Sequence, residues 1–132
     1  MQIRQGAKGA AETASNTALV AVEDVLDTVR SSLEDSKAAE IVTINIQGKS
    51  ALGDYMVVAS GRSHRHVGAI TDHLLRDLKD NGHGTPRVEG LPHCDWVLVD
   101  TADIVIHIFR PEVRDFYGLE KMWQMPDSRD VH

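Results

Sequence analysis

WVLVDTADIVIHIFRPEVRDFYGLEKMW, residues 96–123, sets the architecture of this chain. Val97, Leu98 and Val99 are β-formers, as are Ile104, Val105, Ile106 and Ile108. The short polar run Asp100-Thr101-Ala102-Asp103 separates them, which predicts two antiparallel strands joined by a tight turn. With Thr101 and Ala102 as the turn, residue 100 faces 103, 99 faces 104, 98 faces 105, 97 faces 106 and 96 faces 107. Side chains alternate along a strand, so Val97, Val99, Ile104 and Ile106 share an aliphatic face. Trp96, Leu98, Val105, His107 and Phe109 share the other. A hairpin apolar on both sides is covered on both sides, by this chain, by a second copy or by a partner.

The chain has 132 residues, enough for one domain with a sizeable core. Its 42% hydrophobic and 26% charged residues are those of an ordinary globular protein. A net charge of −6 argues against broad binding to naked nucleic acid, so no direct DNA contact is expected, and it suits a basic protein partner. The single Cys94 forms no internal disulfide and fits a reducing compartment. No apolar run approaches the roughly 20 residues a membrane span needs. The opening MQIRQGAKGAAETASNT has no uninterrupted apolar stretch, which weighs against a secretory signal. The expectation is a cytoplasmic protein without a membrane partner.

Residues 1–16 are Ala-, Gly- and polar-rich and aperiodic, so a disordered or fraying tail is expected there. Leu19, Val22, Leu26, Val29 and Leu33 step by three and four, which predicts a helix capped at Asn16 or Thr17. Strands follow at Ile41–Ile46 and Tyr55–Ala59. The second is nearly all apolar and hence central. Ser63 caps a helix that buries Val67, Ile70, Leu74 and Leu78 and ends at Asn81-Gly82. Arg87–Gly90 is a short edge strand ahead of the hairpin, and Pro111 opens a last helix. The order is α-β-β-α-β-β-β-α: an α/β (α+β) fold with a mixed sheet of about five strands and helices packed on it. A single domain over residues 17–126 and a tail over 127–132 complete the division.

Motifs with catalytic associations are weak. Gly48-Lys49-Ser50 matches the end of a phosphate-binding loop, but Thr43 stands where its first glycine belongs, and a strand follows instead of a helix. His64, His66 and His73 have no acidic or cysteine ligand at a convincing spacing, so solvated histidines beside Arg62 and Arg65 are the simpler reading. His93-Cys94 points its two side chains apart, and a lone cysteine is more often a small buried hydrophobe. Asp54, Asp100 and Asp103 could gather around a divalent ion, although turn-forming aspartates explain them as well. Trp96 is harder to treat as plain core. With His107 and Phe109 it makes a mixed aromatic patch of the kind that anchors interfaces, and Tyr117, Leu119, Met122 and Trp123 could extend it.

GDYMVVASGRSHRHVGAI, then VEG, then DWVLVDTADIVIHIFRPEVRDFYGLEKMW resemble the ribosomal silencing factor (RsfS, or Iojap-like) family in order and spacing. The match covers most of residues 41–123. Two departures stand out: Ala102 occupies a position where the family usually has Gly, and Gly53 one where Thr or Ala is usual. The resemblance implies a compact α/β domain related to the nucleotidyltransferase fold but lacking that fold's catalytic Gly-Ser and paired acids. It implies a non-enzymatic repressor of translation under nutrient limitation. Such a protein binds the fourteenth large-subunit ribosomal protein (L-fourteen) on the intersubunit face and blocks joining of the small subunit. It also implies a homodimer off the ribosome, and neither cofactor nor metal. Carried onto this chain, the contact residues are Trp96, His107, Phe109 and Tyr117, with Asp100, Asp103 and Lys121 as a polar rim. Two other readings stand beside it: a metal-dependent nucleotidyltransferase-like enzyme using Asp54, Asp100 and Asp103, and a plain homodimerisation module.

Overall fold

The computed structural model describes residues 10–51 and 53–117, and their side chains over 21–51 and 53–114. Eight elements follow the expected order: α1 (Ala10–Asp35), β1 (Ala39–Asn45), β2 (Tyr55–Ser60), α2 (His64–Asp80), β3 (Arg87–Glu89), β4 (Trp96–Asp100), β5 (Ile104–Phe109) and α3 (Pro111–Tyr117). The five strands form one sheet in the order β1-β2-β5-β4-β3. β2 and β5 run parallel at its centre, and the other neighbours are antiparallel. A mixed α+β sheet is therefore what the strand pattern gives, with β2 central and β3 at the edge as expected.

Two helices cover one face. Val22, Leu26, Val29 and Leu33 of α1 and Val67, Ile70, Leu74 and Leu78 of α2 are buried against Val57, Ala59, Val97, Val99, Ile104, Ile106 and Ile108. The helical spacing of three and four on one side meets the strand spacing of two on the other. Ser63 caps α2 by accepting from the amide of His66 at 3.1 Å, and Asn81 closes its C-terminal end. His66 joins the helices: its Nδ1 accepts from the Arg62 amide at 2.9 Å, and its Nε2 donates to the Ser36 carbonyl at 2.8 Å.

The opposite face carries a second core of Ile44, Ile46, Met56, Val58 and Phe109, with Val42, Trp96 and Val113 packed on it. Val113 belongs to α3, so this chain itself supplies part of the second cover. Arg114, also on α3, is buried and donates to the Ser60 hydroxyl at 2.7 Å.

Two details differ from the sequence reading. α1 begins at Ala10, so residues 10–16, expected in a tail, are helical, and Asn16 and Thr17 lie inside the helix instead of capping it. The hairpin register is two residues further along, pairing Val99 with Ile106 and Trp96 with Phe109. The turn is Ala102-Asp103, with Thr101 donating its amide to the Ile104 carbonyl at 3.0 Å. Ala102 has φ +84°, the left-handed value that the first central position of such a turn demands. A shift of two leaves every side chain on its expected face. It does separate Asp100 from Asp103, because Asp100 stands opposite Val105.

Candidate partner-binding surface

The register of β4 and β5 sets Trp96 directly opposite Phe109 and Leu98 opposite His107. These four side chains share the face away from α1 and α2. The indole stacks on Phe109 with ring centroids 5.0 Å apart and planes 28° apart. It tilts against His107 at 5.8 Å and 44°, and His107 stacks on Phe109 at 5.9 Å and 16°. The indole N–H donates to His107 Nδ1 at 2.9 Å. A ring that accepts at Nδ1 is the neutral tautomer carrying its proton on Nε2. Burial pushes the His107 pKa down from 6.5 to about 4, so the ring stays neutral near pH 7.

Exposure divides the patch. Phe109 is 0% exposed and His107 8%, whereas Trp96 is half-buried. Phe109 is thus placed under the patch and not on it, because Trp96 covers it from above and Met56 and Val58 flank it in the core. Among the described residues of the patch, the side chains that keep appreciable exposure are the Trp96 ring and Leu98, both half-buried. A groove of about 380 Å³, lined by Glu89, Gly90, Trp96 and Leu98, opens along that ring. Gly90 keeps the groove's wall close: its φ is +103°, and a Cβ there would collide with the main-chain oxygen of Trp96.

Asp100 shares the Trp96 face but sits four residues along β4, roughly 13 Å away at the usual rise of a strand. Its carboxylate accepts from the Ala102 amide at 2.8 Å and so shapes the turn. Asp103 is exposed at the turn, and its carbonyl accepts from the amides of Asp54 at 2.7 Å and Tyr55 at 3.2 Å. Tyr117 ends α3, and its side chain lies outside the described residues, as does Lys121 entirely.

A polar cluster next to the patch was not anticipated. Asp95 accepts from Arg110 Nη2 at 2.9 Å and Nε at 3.1 Å, and pairs with His64 Nε2 at 2.6 Å. The His64 and Arg110 hydrogen bonds hold the Asp95 carboxyl below its ordinary pKa. The cluster closes the open end of the hairpin one step beyond the Trp96–Phe109 pair, where the Arg110 amide donates to the Asp95 carbonyl. Opposite charges immediately outside Trp96 and Phe109 were the available signal, and they line up only in the observed register.

The remaining chemical candidates resolve simply. Cys94 is buried, and burial raises its thiol pKa, which suits a packed side chain better than a nucleophile. Among the described residues, one group of three ligand-type side chains comes together, Asp35, His73 and Asp77, and it does not include Asp54, Asp100 or Asp103. Among the described residues no helix is long and apolar enough to cross a membrane.

The family described as ribosomal silencing factor during starvation (RsfS) matches residues 20–132. A ribosomal silencing factor of Zymomonas mobilis is 51% identical over 108 residues, covering 82% of this chain and 81% of that protein. The mouse protein named mitochondrial assembly of ribosomal large subunit protein 1 is 34% identical over 108 residues, covering 80% of this chain and 47% of its own. A crystal structure of a Chromobacterium violaceum protein, 33% identical, matches the fold with a TM-score of 0.76 over 78% of this chain and 86% of that one.

Proposed function

The chain belongs to the ribosomal silencing factor family, and from that premise we propose that it represses translation by docking the Trp96 face of its sheet on the large ribosomal subunit. The partner is the fourteenth large-subunit ribosomal protein (L-fourteen) on the intersubunit face. A domain seated there occupies space that the small subunit needs, so the block is steric, and it operates in the cytoplasm under nutrient limitation or in stationary phase. No bond is made or broken, and neither cofactor nor metal takes part. The observation that carries this reading is the half-buried Trp96 ring, pinned by His107 and Phe109 beside an open groove. A large ring already fixed in place loses little entropy on binding, which is the property of an interface anchor.

His107 and Phe109 act from beneath, holding the indole. Asp100 and Asp103 give the turn an acidic edge, and with a net charge of −6 the chain is drawn toward a basic protein surface. Tyr117 and Lys121 complete the contact from the C-terminal side. Off the ribosome the same patch pairs with a second copy, so self-association and ribosome binding exclude each other. The large-subunit assembly named for the mouse relative agrees with a large-subunit partner.

The test is cosedimentation with purified subunits followed by a joining assay. The protein should enrich on free large subunits over joined ribosomes and should lower the yield of joined particles. Equal binding to free and joined particles would refute the steric block. A melting temperature raised by ATP only when magnesium is present would favour the enzymatic alternative.

A further inference from the structure

A second feature lies on the other side of the sheet. A groove of about 420 Å³ runs between α1 and α2, with Asp27, Ser32, Asp35 and Asp77 in its lining. At this groove a carboxylate oxygen of Asp35, one of Asp77 and a ring nitrogen of His73 all lie within 4.8 Å of one another. The local folding explains their meeting. His73 and Asp77 are one turn apart on α2, and Asp35 is the last residue of α1, whose buried face packs against α2.

Two unsatisfied polar atoms mark the two helices that meet here. His73 Nε2 is shielded from solvent and has no hydrogen-bond partner. Asp77 Oδ2 is 3.2 Å from it, close enough for an ion pair but not aligned as a hydrogen-bond acceptor. Ser32 stands one turn before Asp35 on α1, is 1% exposed, and its Oγ also has no partner. Buried polar atoms are normally bonded, so an orphan on each of the two helices is unfavourable unless a further group joins it.

Charge points the same way. The last turn of α1 carries Glu34 and Asp35 and no basic residue, at the helix end where the aligned carbonyls already concentrate negative charge. Among the described residues, no lysine or arginine lines the groove. One cation would relieve both the repulsion and the orphaned imidazole. Two ligand atoms bound to a tetrahedral zinc ion at ordinary bond lengths lie about 3.3 Å apart, close to the spacing of His73 Nε2 and Asp77 Oδ2.

We propose that Asp35, His73 and Asp77 bind a first-row divalent cation, with Zn²⁺ the best match, and that the ion clamps the end of α1 to α2. An imidazole with two carboxylates is a donor set for Zn²⁺ or Mn²⁺ and is poorly suited to the all-oxygen preference of Ca²⁺. A water completes the coordination, and Ser32 Oγ is its hydrogen-bond partner. The site is structural. It lies on the helix-covered side of the sheet, away from Trp96, so loading it stiffens the domain without changing the docking face.

The experiment uses the full, untagged chain, stripped with a chelator and titrated with zinc chloride alone by calorimetry, with melting curves alongside. One saturable equivalent is expected, with a melting temperature that rises on loading and falls again on chelation. His73→Gln and Asp77→Asn should each weaken binding by on the order of tenfold or more, and His93→Gln, at an exposed loop position, should leave it unchanged. Asp35→Asn serves as the second carboxylate test if Asp77→Asn folds poorly by circular dichroism. Absence of saturable uptake by the wild-type chain, or uptake unaltered in His73→Gln, overturns the site.

Discussion

The indole N–H of Trp96 donates to Nδ1 of His107 across β4 and β5 at 2.9 Å, so the position of the half-buried indole depends on the protonation state of the imidazole beneath it. Only a neutral imidazole with its proton on Nε2 can accept that bond. Protonation would turn the acceptor into a donor facing a donor, and it would place a charge in the apolar layer formed with Phe109 and Val105. The anchor and its support are therefore one unit.

A pH dependence follows from this unit. Burial holds His107 at a pKa of about 4 in the folded chain, below its ordinary 6.5. The unfolded chain then binds a proton that the folded chain refuses between these values. The contribution to stability is complete above pH 6.5 and is lost as pH falls toward 4, to a total of about 3 kcal/mol. Urea unfolding of the wild type and of His107→Gln at pH 7 and at pH 4.5 reads it. The wild type should lose more stability on acidification than the variant, which offers Trp96 a neutral acceptor at both pH values. Equal losses would show that His107 is not the titrating group.

Ala102 makes a second prediction. Its φ of +84° is a conformation that costs an L-residue with a Cβ about 1–2 kcal/mol, and glycine adopts it freely. Ala102→Gly should raise stability by about 1 kcal/mol after the greater entropy of the unfolded glycine is counted. Chemical denaturation checks it, and a destabilised variant would mean that the methyl group makes a contact outweighing the strain.

Gly53 sits against the same turn. A Cβ on it would lie 2.8 Å from the main-chain oxygen of Asp103 and 3.3 Å from that of Ala102. The chain's two departures from the family pattern are thus neighbours, and the glycine missing from the turn stands beside it. Gly53→Ala alone should destabilise by about 1–3 kcal/mol, because backbone would have to move. In the Ala102→Gly background the turn has more freedom to yield, so the cost should be smaller. A double-mutant cycle with no coupling would show that the two positions are independent.

Much of this was readable beforehand, and the failures have particular causes. Period-two and period-three-to-four patterns gave the element order, the central place of β2, the Ser63 cap and the face on which Trp96, His107 and Phe109 meet. The register slipped because Asp100-Thr101-Ala102-Asp103 offers no glycine to mark the turn, and an alanine at positive φ is not what sequence rules look for. Burial was less legible still. Alternation placed Phe109 and Trp96 on one face, but it could not say that the first lies wholly beneath the second. The Asp95–Arg110–His64 cluster and the Asp35–His73–Asp77 group draw on separate elements, so only packing completes them, although His73 and Asp77 already stand one turn apart on α2 and that pair was legible in the sequence.

The central claim is that the Trp96 ring is the anchor of a large-subunit docking face. The measurement is the affinity of wild type and of Trp96→Ala for purified large subunits, by cosedimentation at matched salt, with cooperative melting of the variant verified first. Loss of a buried aromatic anchor costs on the order of 2 kcal/mol, so the variant should bind roughly thirtyfold more weakly while remaining folded. A folded Trp96→Ala chain that binds the large subunit as tightly as the wild type would contradict the account.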